Sequence, residues 1–194
     1  MKAFNGFKSE ASSKKPRMLP AGAYVAKIKA VKIEGLEPDQ QLVLRVDVCE
    51  GEYTDHFLNR FKYDQENSKY EPRYKGDFKL RIPNDANTKA LYPESDLKAF
   101  NDAIYRIEQS NPGYHWDWDE KGLVGLLVGI NMQPGDYNGF PFTRIGRLEI
   151  ADDVRKGIVK PMRSREAKGD ADDSRFIDQQ SGMTKVDFGT DLPF

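Results

Sequence analysis

The stretch from Arg60 to Arg81 combines cationic and aromatic side chains. Within it seven Lys and Arg residues stand against four Asp and Glu residues, with tyrosines and phenylalanines between them. Single-stranded nucleic acid suits such a mixture, because cations replace the counterions of the phosphates and flat rings accept unstacked bases. The stretch therefore predicts a nucleic-acid contact, with the candidate residues Arg60, Lys62, Tyr63, Lys69, Tyr70, Arg73, Tyr74 and Lys75. A solvated β-hairpin whose tyrosines only cover a barrel edge is an open alternative.

A second and smaller patch follows near residue 140. Tyr137 and Phe140 lie in a predicted turn region, and Arg144 and Arg147 come after it. Residues three apart on a regular strand point to opposite faces, so we expect at most one of the two arginines to face a ligand. This patch adds Tyr137, Phe140 and Arg144 to the predicted DNA-binding residues.

Trp116 and Trp118 are further candidates for base stacking. Asp117, Asp119 and Glu120 lie beside them, however, and these carboxylates would repel phosphate. We therefore expect the two tryptophans to pack between a helix and the barrel.

Catalytic groupings are scarce in this sequence. Asp39, Asp77 and Lys79 resemble the spaced carboxylates and lysine of metal-dependent nucleases, but the match is short and both parts lie in predicted turns. The single cysteine, Cys49, excludes an internal disulfide bond. The sequence thus predicts a protein that is not an enzyme, with no catalytic residues, no metal and no cofactor.

The elements that hold these residues are predicted to be mostly strands. A slip in the apolar alternation after Gly22 indicates a long first strand with a bulge. Period-two patterns predict two more strands at residues 41–50 and 56–63, followed by an extended β-hairpin insertion that returns through a short strand at 78–82. A 3.6-residue periodicity then predicts a helix at 95–109, and a last strand pair is predicted within residues 123–150.

Three strands, an insertion, one helix and two strands predict an all-β fold with one helix. Among small β architectures this order is that of a five-stranded OB-fold barrel. We assign residues 20–161 to this domain and residues 1–19 to a basic N-terminal arm. Residues 162–194 are rich in small and charged side chains that cannot bury enough apolar area to offset the entropy of ordering, so a disordered C-terminal tail is predicted.

The tail ends in an unusual group of residues, Asp187, Asp191, Leu192, Pro193 and Phe194. An aromatic ring that also carries a carboxylate can fill an apolar pocket with a basic rim, and the preceding aspartates would speed the encounter. The ending resembles the tip of bacterial single-stranded-DNA-binding proteins, although its acidic run is sparser. In that family the tip docks replication, recombination and repair proteins.

The body of the chain resembles a phage-encoded family, long catalogued as a domain of unknown function and regarded as single-stranded-DNA-binding. The resemblance is carried by LPAGAYVAKIKAVKIE, LVLRVDVCEGEYTDHFLNRF, FNDAIYRIEQSNPGYHW and LVGLLVG, in that order. It covers about residues 19–160 and implies a fold and a ligand, but no residue-level contacts.

Together these features predict sequence-tolerant binding of single-stranded DNA in phage replication and recombination, with recruitment of host or phage proteins through the tip. Because the net charge is only −1, we expect DNA to bind at local cationic patches. A homo-oligomer is compatible with the sequence. No stretch suits a signal peptide or a membrane span, so a cytoplasmic location, in the host cell if phage-encoded, is expected. The alternatives are a recombination mediator that acts through protein contacts and, more distantly, the nuclease.

Overall fold

The structure is a computed structural model that describes residues 16–37, 39–83 and 93–164, except for the side chains of Pro93 and Tyr137. The predicted arm therefore lies outside the described residues up to Lys15, and the predicted tail lies outside them from Arg165 onward. The elements in chain order are β1 (Gly22–Glu34), β2 (Gln41–Val48), α1 (His56–Asn67), β3 (Asp77–Arg81), α2 (Pro93–Ser110), a 3-10 helix (Glu120–Leu123), β4 (Leu127–Tyr137), β5 (Phe140–Glu149) and α3 (Ala151–Arg155). None of the helices in these ranges is long and apolar enough to cross a membrane.

The five strands form one antiparallel sheet in the order β3-β2-β1-β4-β5. The sheet curves into a nearly closed barrel with β3 and β5 at its two ends, and α2 connects β3 to β4. This arrangement confirms the predicted five-stranded OB-fold. The predicted bulge is also present, because the pairing of β1 with β2 shifts between Ile28 and Ala30.

The barrel interior follows from the alternation of apolar residues. Leu42, Leu44, Val46 and Val48 point inward from β2 and are buried, as the pattern predicted. On α2 the buried side chains include Phe100, Ile104 and Ile107, spaced by three and four residues, so this helix closes the barrel with one apolar face.

The third predicted strand is wrong, and so is the extended β-hairpin insertion. Residues 56–67 form helix α1, a loop over 68–76 follows it, and the short strand β3 takes the third position in the barrel. Phe57 and Phe61 are four residues apart. This spacing puts both side chains on one face of a strand and also on one face of a helix. The helix prevails because its N-terminus is capped from β2.

The packed chain extends slightly beyond the assigned domain boundaries. Leu19 is fully buried in the core, although it lies in the segment assigned to the arm. At the other end the backbone oxygens of Lys160 and Arg163 accept hydrogen bonds from Asn131 and Gln133 of β4. Both ends of the described chain therefore lie against the barrel.

Candidate nucleic-acid interface

Helix α1 is anchored to the barrel by one buried carboxylate. Asp47, on the outer face of β2, is 1% exposed and accepts hydrogen bonds from the backbone N–H groups of Val48, Phe57 and Leu58, each at 2.9 Å. Two of these donors belong to the first turn of α1, where N–H groups have no partner within the helix. Asp47 thus caps the helix from a distance and fixes where its side chains lie.

Tyr74 completes this anchor. Its hydroxyl donates to Asp47 Oδ2 at 3.0 Å and to the backbone oxygen of Val46 at 3.1 Å. The ring packs near Phe57 and Phe61, and the Arg45 guanidinium lies 4.7 Å from its centroid. Burial, together with the nearby Asp47 carboxylate, raises the pKa of Tyr74 far above its usual value. Tyr74 therefore serves to hold the loop 68–76, and the structure does not offer its ring for base stacking.

One concave surface among the described residues is a groove of about 750 Å³. It lies between α1, the β4–β5 hairpin and the segment 16–19, and we call it the basic groove. Four cationic side chains and no Asp or Glu line it. The lining residues are Pro16, Arg17, Met18, Leu19, His56, Phe57, Arg60, Lys75, Met132, Pro141, Phe142, Thr143 and Arg144.

The segment 16–19 forms one wall of the basic groove and is tied to both neighbouring walls. Arg60 Nη1 on α1 donates to the backbone oxygen of Pro16 at 3.3 Å, and Thr143 Oγ1 on β5 donates to that of Leu19 at 2.7 Å. With Leu19 buried, the two residues between these ties, Arg17 and Met18, are exposed. Sequence reasoning missed Arg17 because it assigned the whole segment to the arm.

The cations of the basic groove differ in how free they are. Arg60 pairs with Asp64 one helical turn later, at 3.2 Å. Arg144 donates to the amide oxygen of Gln133 at 3.4 Å. Arg17 and Lys75 are exposed and make no ion pair within the described part of the chain. These two side chains are the ones most ready to bind phosphate.

His56 lines the basic groove and was not predicted as a site residue. Its ring lies edge-on to Tyr53 and Phe57, with centroid distances of 6.2 and 5.4 Å. Burial lowers the pKa of the His56 imidazole below its usual 6.5. The charge of Arg60 lowers this pKa further, and the charge of Asp47 acts in the opposite direction. A proton on this ring is therefore disfavoured in the folded protein.

Most of the remaining predicted contacts lie on α1 and the loop 68–76, outside the groove lining. Lys62, Lys69 and Arg73 are exposed cations, and Tyr63 is a half-buried ring on α1. Tyr70 is 83% exposed, which makes it the most accessible ring of this region. These side chains extend the cationic surface beyond the groove.

The β4–β5 hairpin supplies the aromatic side of the site. Its turn runs through Asn138 and Gly139, both with positive φ, as a tight two-residue hairpin requires. Phe140 is 75% exposed directly after the turn, and the ring of Phe142 lies against Gly135, where a Cβ atom would come within 2.6 Å of it. Phe142 was missed, and the side chain of Tyr137 lies outside the described residues.

The expectation that Arg144 and Arg147 point to opposite faces is wrong. The pairing of β4 with β5 shifts by one residue beside Gly146, so the core-facing residues Ile145 and Leu148 are three apart. The two arginines consequently share the outer face of β5. Only Arg144 lines the groove, since Arg147 pairs at 2.6 Å with a carboxylate two residues further along.

OB-folds commonly bind oligonucleotides on the outer face of strands two and three. On this barrel that face also carries cations, but carboxylates neutralise them: Arg45 pairs with Asp77 at 2.8 and 3.0 Å, and Lys79 pairs with Glu34 at 2.7 Å. Hydrogen bonds from Lys32 and Lys79 lower the pKa of Glu34 to about 2, so it stays ionised. Charge therefore favours the basic groove over this face.

The same ion pairs bear on the nuclease alternative. Asp77 and Lys79, two of its three residues, are each held by an oppositely charged side chain. Within residues 16–37, 39–83 and 93–164 no group of three or more His, Cys, Asp or Glu side chains could hold a metal ion. The predicted docking residues Asp187, Asp191, Leu192, Pro193 and Phe194 lie outside the described residues.

The two tryptophans behave differently from each other. Trp116 packs against the core, as predicted, and its backbone N–H donates to the Glu108 carboxylate at 2.8 Å. Trp118 is 64% exposed. Neither ring lines the basic groove.

No family model matches the sequence, and no curated protein matches it significantly. The groove, its charge and its exposed rings are therefore the features from which a function is inferred.

Proposed function

We propose that this protein binds single-stranded DNA in the basic groove without sequence preference, and coats replication or recombination intermediates in the cytoplasm of a host cell. The observation that carries the proposal is the charge of the groove. Among the described residues, four cationic side chains and no carboxylate line it, in a chain whose net charge is only −1. Such local separation of charge attracts a polyanion although the whole molecule does not.

The groove offers both contacts that a single strand needs. Arg17 and Lys75 provide cations that can replace phosphate counterions. Phe142 at the groove provides a ring on which a base can stack, and Phe140 and Tyr70 are further exposed rings outside its lining. A duplex keeps its bases stacked on each other, so it can use the cations but not the rings.

Sequence tolerance follows from the groove's remaining side chains. No Asn, Gln, Asp or Glu of the described ranges lines it, and these are the side chains that most often read A or C. The hydroxyl of Thr143 is occupied by the backbone of Leu19. Contacts are therefore made to phosphates and base faces, which all sequences share.

The second part of the proposal concerns recruitment. Asp187 and Asp191 followed by Leu192, Pro193 and Phe194 have the chemistry of a peptide that docks in an apolar pocket with a basic rim. We propose that replication or repair proteins are recruited through these residues. Phe194→Ala in the full chain should abolish partner capture and leave DNA affinity unchanged, and a parallel loss of DNA affinity would contradict this division.

Fluorescence anisotropy of a labelled oligothymidine, measured at several salt concentrations, tests the DNA-binding part. We expect submicromolar affinity for the single strand, weaker binding to a duplex of equal length and a steep salt dependence. Absence of binding at low salt would refute the proposal and favour the recombination mediator. Shortening of the oligonucleotide with Mg²⁺, abolished by Asp77→Ala, would favour the nuclease instead.

A further inference from the structure

Trp118 is an exposed indole that packs on a buried aromatic ring. Its ring stacks on Phe100 with a centroid distance of 5.9 Å and an interplanar angle of 13°. Trp116 lies 6.0 Å from it, tilted by 53°. Phe100 is buried in the core, so the outer ring is fixed against the barrel while most of its own surface meets solvent. Trp118 also has a φ of 69°, a region that side chains of its size rarely adopt.

Carboxylates lie next to Trp118 along the chain. Asp117, Asp119 and Glu120 lie in the same segment as Trp118, and none of them makes an ion pair within the described residues. The side chains of Asp117 and Asp119 accept backbone hydrogen bonds from Asp119 and Lys121 at 3.1 and 3.0 Å, which orients them and leaves their charge in place. We call Phe100, Trp116 and Trp118 with these three carboxylates the tryptophan platform.

The chemistry of the platform is opposite to that of the basic groove. Its negative charge repels a DNA strand, so the exposed ring does not serve the proposed nucleic-acid function. A fitting occupant must carry both cations and apolar rings. Residues 1–15 of this chain have that composition, since they contain Lys2, Lys8, Lys14 and Lys15 against Glu10 alone, together with Phe4 and Phe7.

We infer that residues 1–15 of one copy dock on the tryptophan platform of a second copy. The described chain begins at Pro16, whose backbone oxygen is held by Arg60 at the basic groove. The platform is built by α2 and the segment that follows it, so the arm and the platform belong to different parts of the chain. An arm-to-platform contact joins unlike surfaces, and repeated contacts of this kind form either a closed ring or an open row of copies. A row of this kind suits proteins side by side on one strand, but the docking itself needs no DNA.

Two full-length variants test this inference by sedimentation equilibrium at low salt without DNA. The arm variant carries Phe4→Ser and Phe7→Ser, and the platform variant carries Trp118→Ala. We expect the wild-type chain to associate with rising concentration. Each variant alone should associate at least about ten-fold more weakly. An equimolar mixture should recover association, because the arm of the platform variant meets the intact platform of the arm variant.

Matched controls separate docking from misfolding. Trp118→Phe keeps a ring on the platform and should retain most of the association. The pair Asp117→Asn and Glu120→Gln keeps side-chain size but removes two charges, so it should weaken association most at low salt. Trp116 and Trp118 are the chain's only tryptophans, so their emission should shift with concentration in the wild type and not in the arm variant.

Three results would overturn the inference. The first is a wild-type chain that stays monomeric at low salt over the whole concentration range. The second is an arm variant that associates as strongly as the wild type. The third is a mixture of the two variants that fails to recover association, which would place any contact of the arm on its own chain. All three are independent of DNA binding, so they leave the proposed function to its own test.

Discussion

Asp47 determines where half of the candidate site lies, although it does not touch the groove. Its carboxylate joins β2 to the first turn of α1 and to the hydroxyl of Tyr74, at distances of 2.9 to 3.0 Å. The alternation along β2 is enough to place this side chain on the outer face of the strand. It could not predict that a helix ten residues later would supply the donors, because that contact exists only in the folded chain.

Replacing Asp47 with Ala should lower the free energy of unfolding by about 3 kcal/mol or more, since it strands buried N–H donors at the start of α1. Urea denaturation measures the change. Asp39→Ala serves as the control, because Asp39 is exposed in the β1–β2 turn. A loss no greater than that of the control would show that α1 does not depend on this cap.

Tyr70 and Tyr74 form a matched pair with opposite expected effects. Tyr70→Ala should leave stability unchanged and weaken single-strand binding by about 1 to 3 kcal/mol, as loss of a stacking ring does. Tyr74→Phe should instead cost about 1 to 2 kcal/mol of stability, because it removes a hydroxyl donor to the buried Asp47 carboxylate. Chemical denaturation and anisotropy titration of both variants check this, and reversed effects would exchange the two roles.

His56 makes stability depend on pH in a defined window. Because burial lowers its pKa in the folded state, the unfolded chain binds the proton more readily once the pH falls below about 6.5. Stability should therefore be full above this pH and decline as the pH falls towards the lower, folded-state pKa. His56→Gln should flatten this decline below about pH 6.5. An unchanged curve in the His56 variant would contradict the assignment.

At the scale of elements, those with a strong periodicity could be predicted from the sequence, and features that depend on tertiary contacts could not. The bulge in β1, the inward face of β2 and the buried face of α2 all follow from local patterns. Residues 56–67 fit a strand and a helix equally well by pattern, so the cap from Asp47 decides. The shift in β5 beside Gly146 was missed, although the apolar residues Ile145 and Leu148 are three apart, and it places two arginines on one face.

The segment 16–19 should behave as part of the barrel although composition assigned it to an arm. Leu19 is fully buried, so Leu19→Ala should lower the free energy of unfolding by about 2 to 5 kcal/mol. The neighbouring Met18→Ala, on an exposed side chain, should cost less than about 0.5 kcal/mol. Thermal or urea unfolding distinguishes the two, and equal small effects would show that this wall of the groove is not packed.

For the whole molecule, the distribution of charge matters more than its sum. Cations on the outer face of β2 and β3 are paired with carboxylates, whereas Arg17 and Lys75 in the basic groove are not. Sequence reasoning identified Arg60, Lys75 and Arg144 as separate candidates on two patches. Only the fold brings the three together at one groove and adds Arg17 as a fourth cation.

The central claim is that a single strand binds in the basic groove, and the double variant Arg17→Ala with Lys75→Ala tests it most directly. Its control is Lys98→Ala with Lys156→Ala, which removes two exposed cations from α2 and the end of α3. The measurement is the affinity for oligothymidine across a series of salt concentrations. The groove variant should bind at least about ten-fold more weakly at low salt, and the slope of log affinity against log salt should fall by about 1.4, or 0.7 for each lost phosphate contact. An affinity and a slope equal to those of the control would contradict binding in the groove.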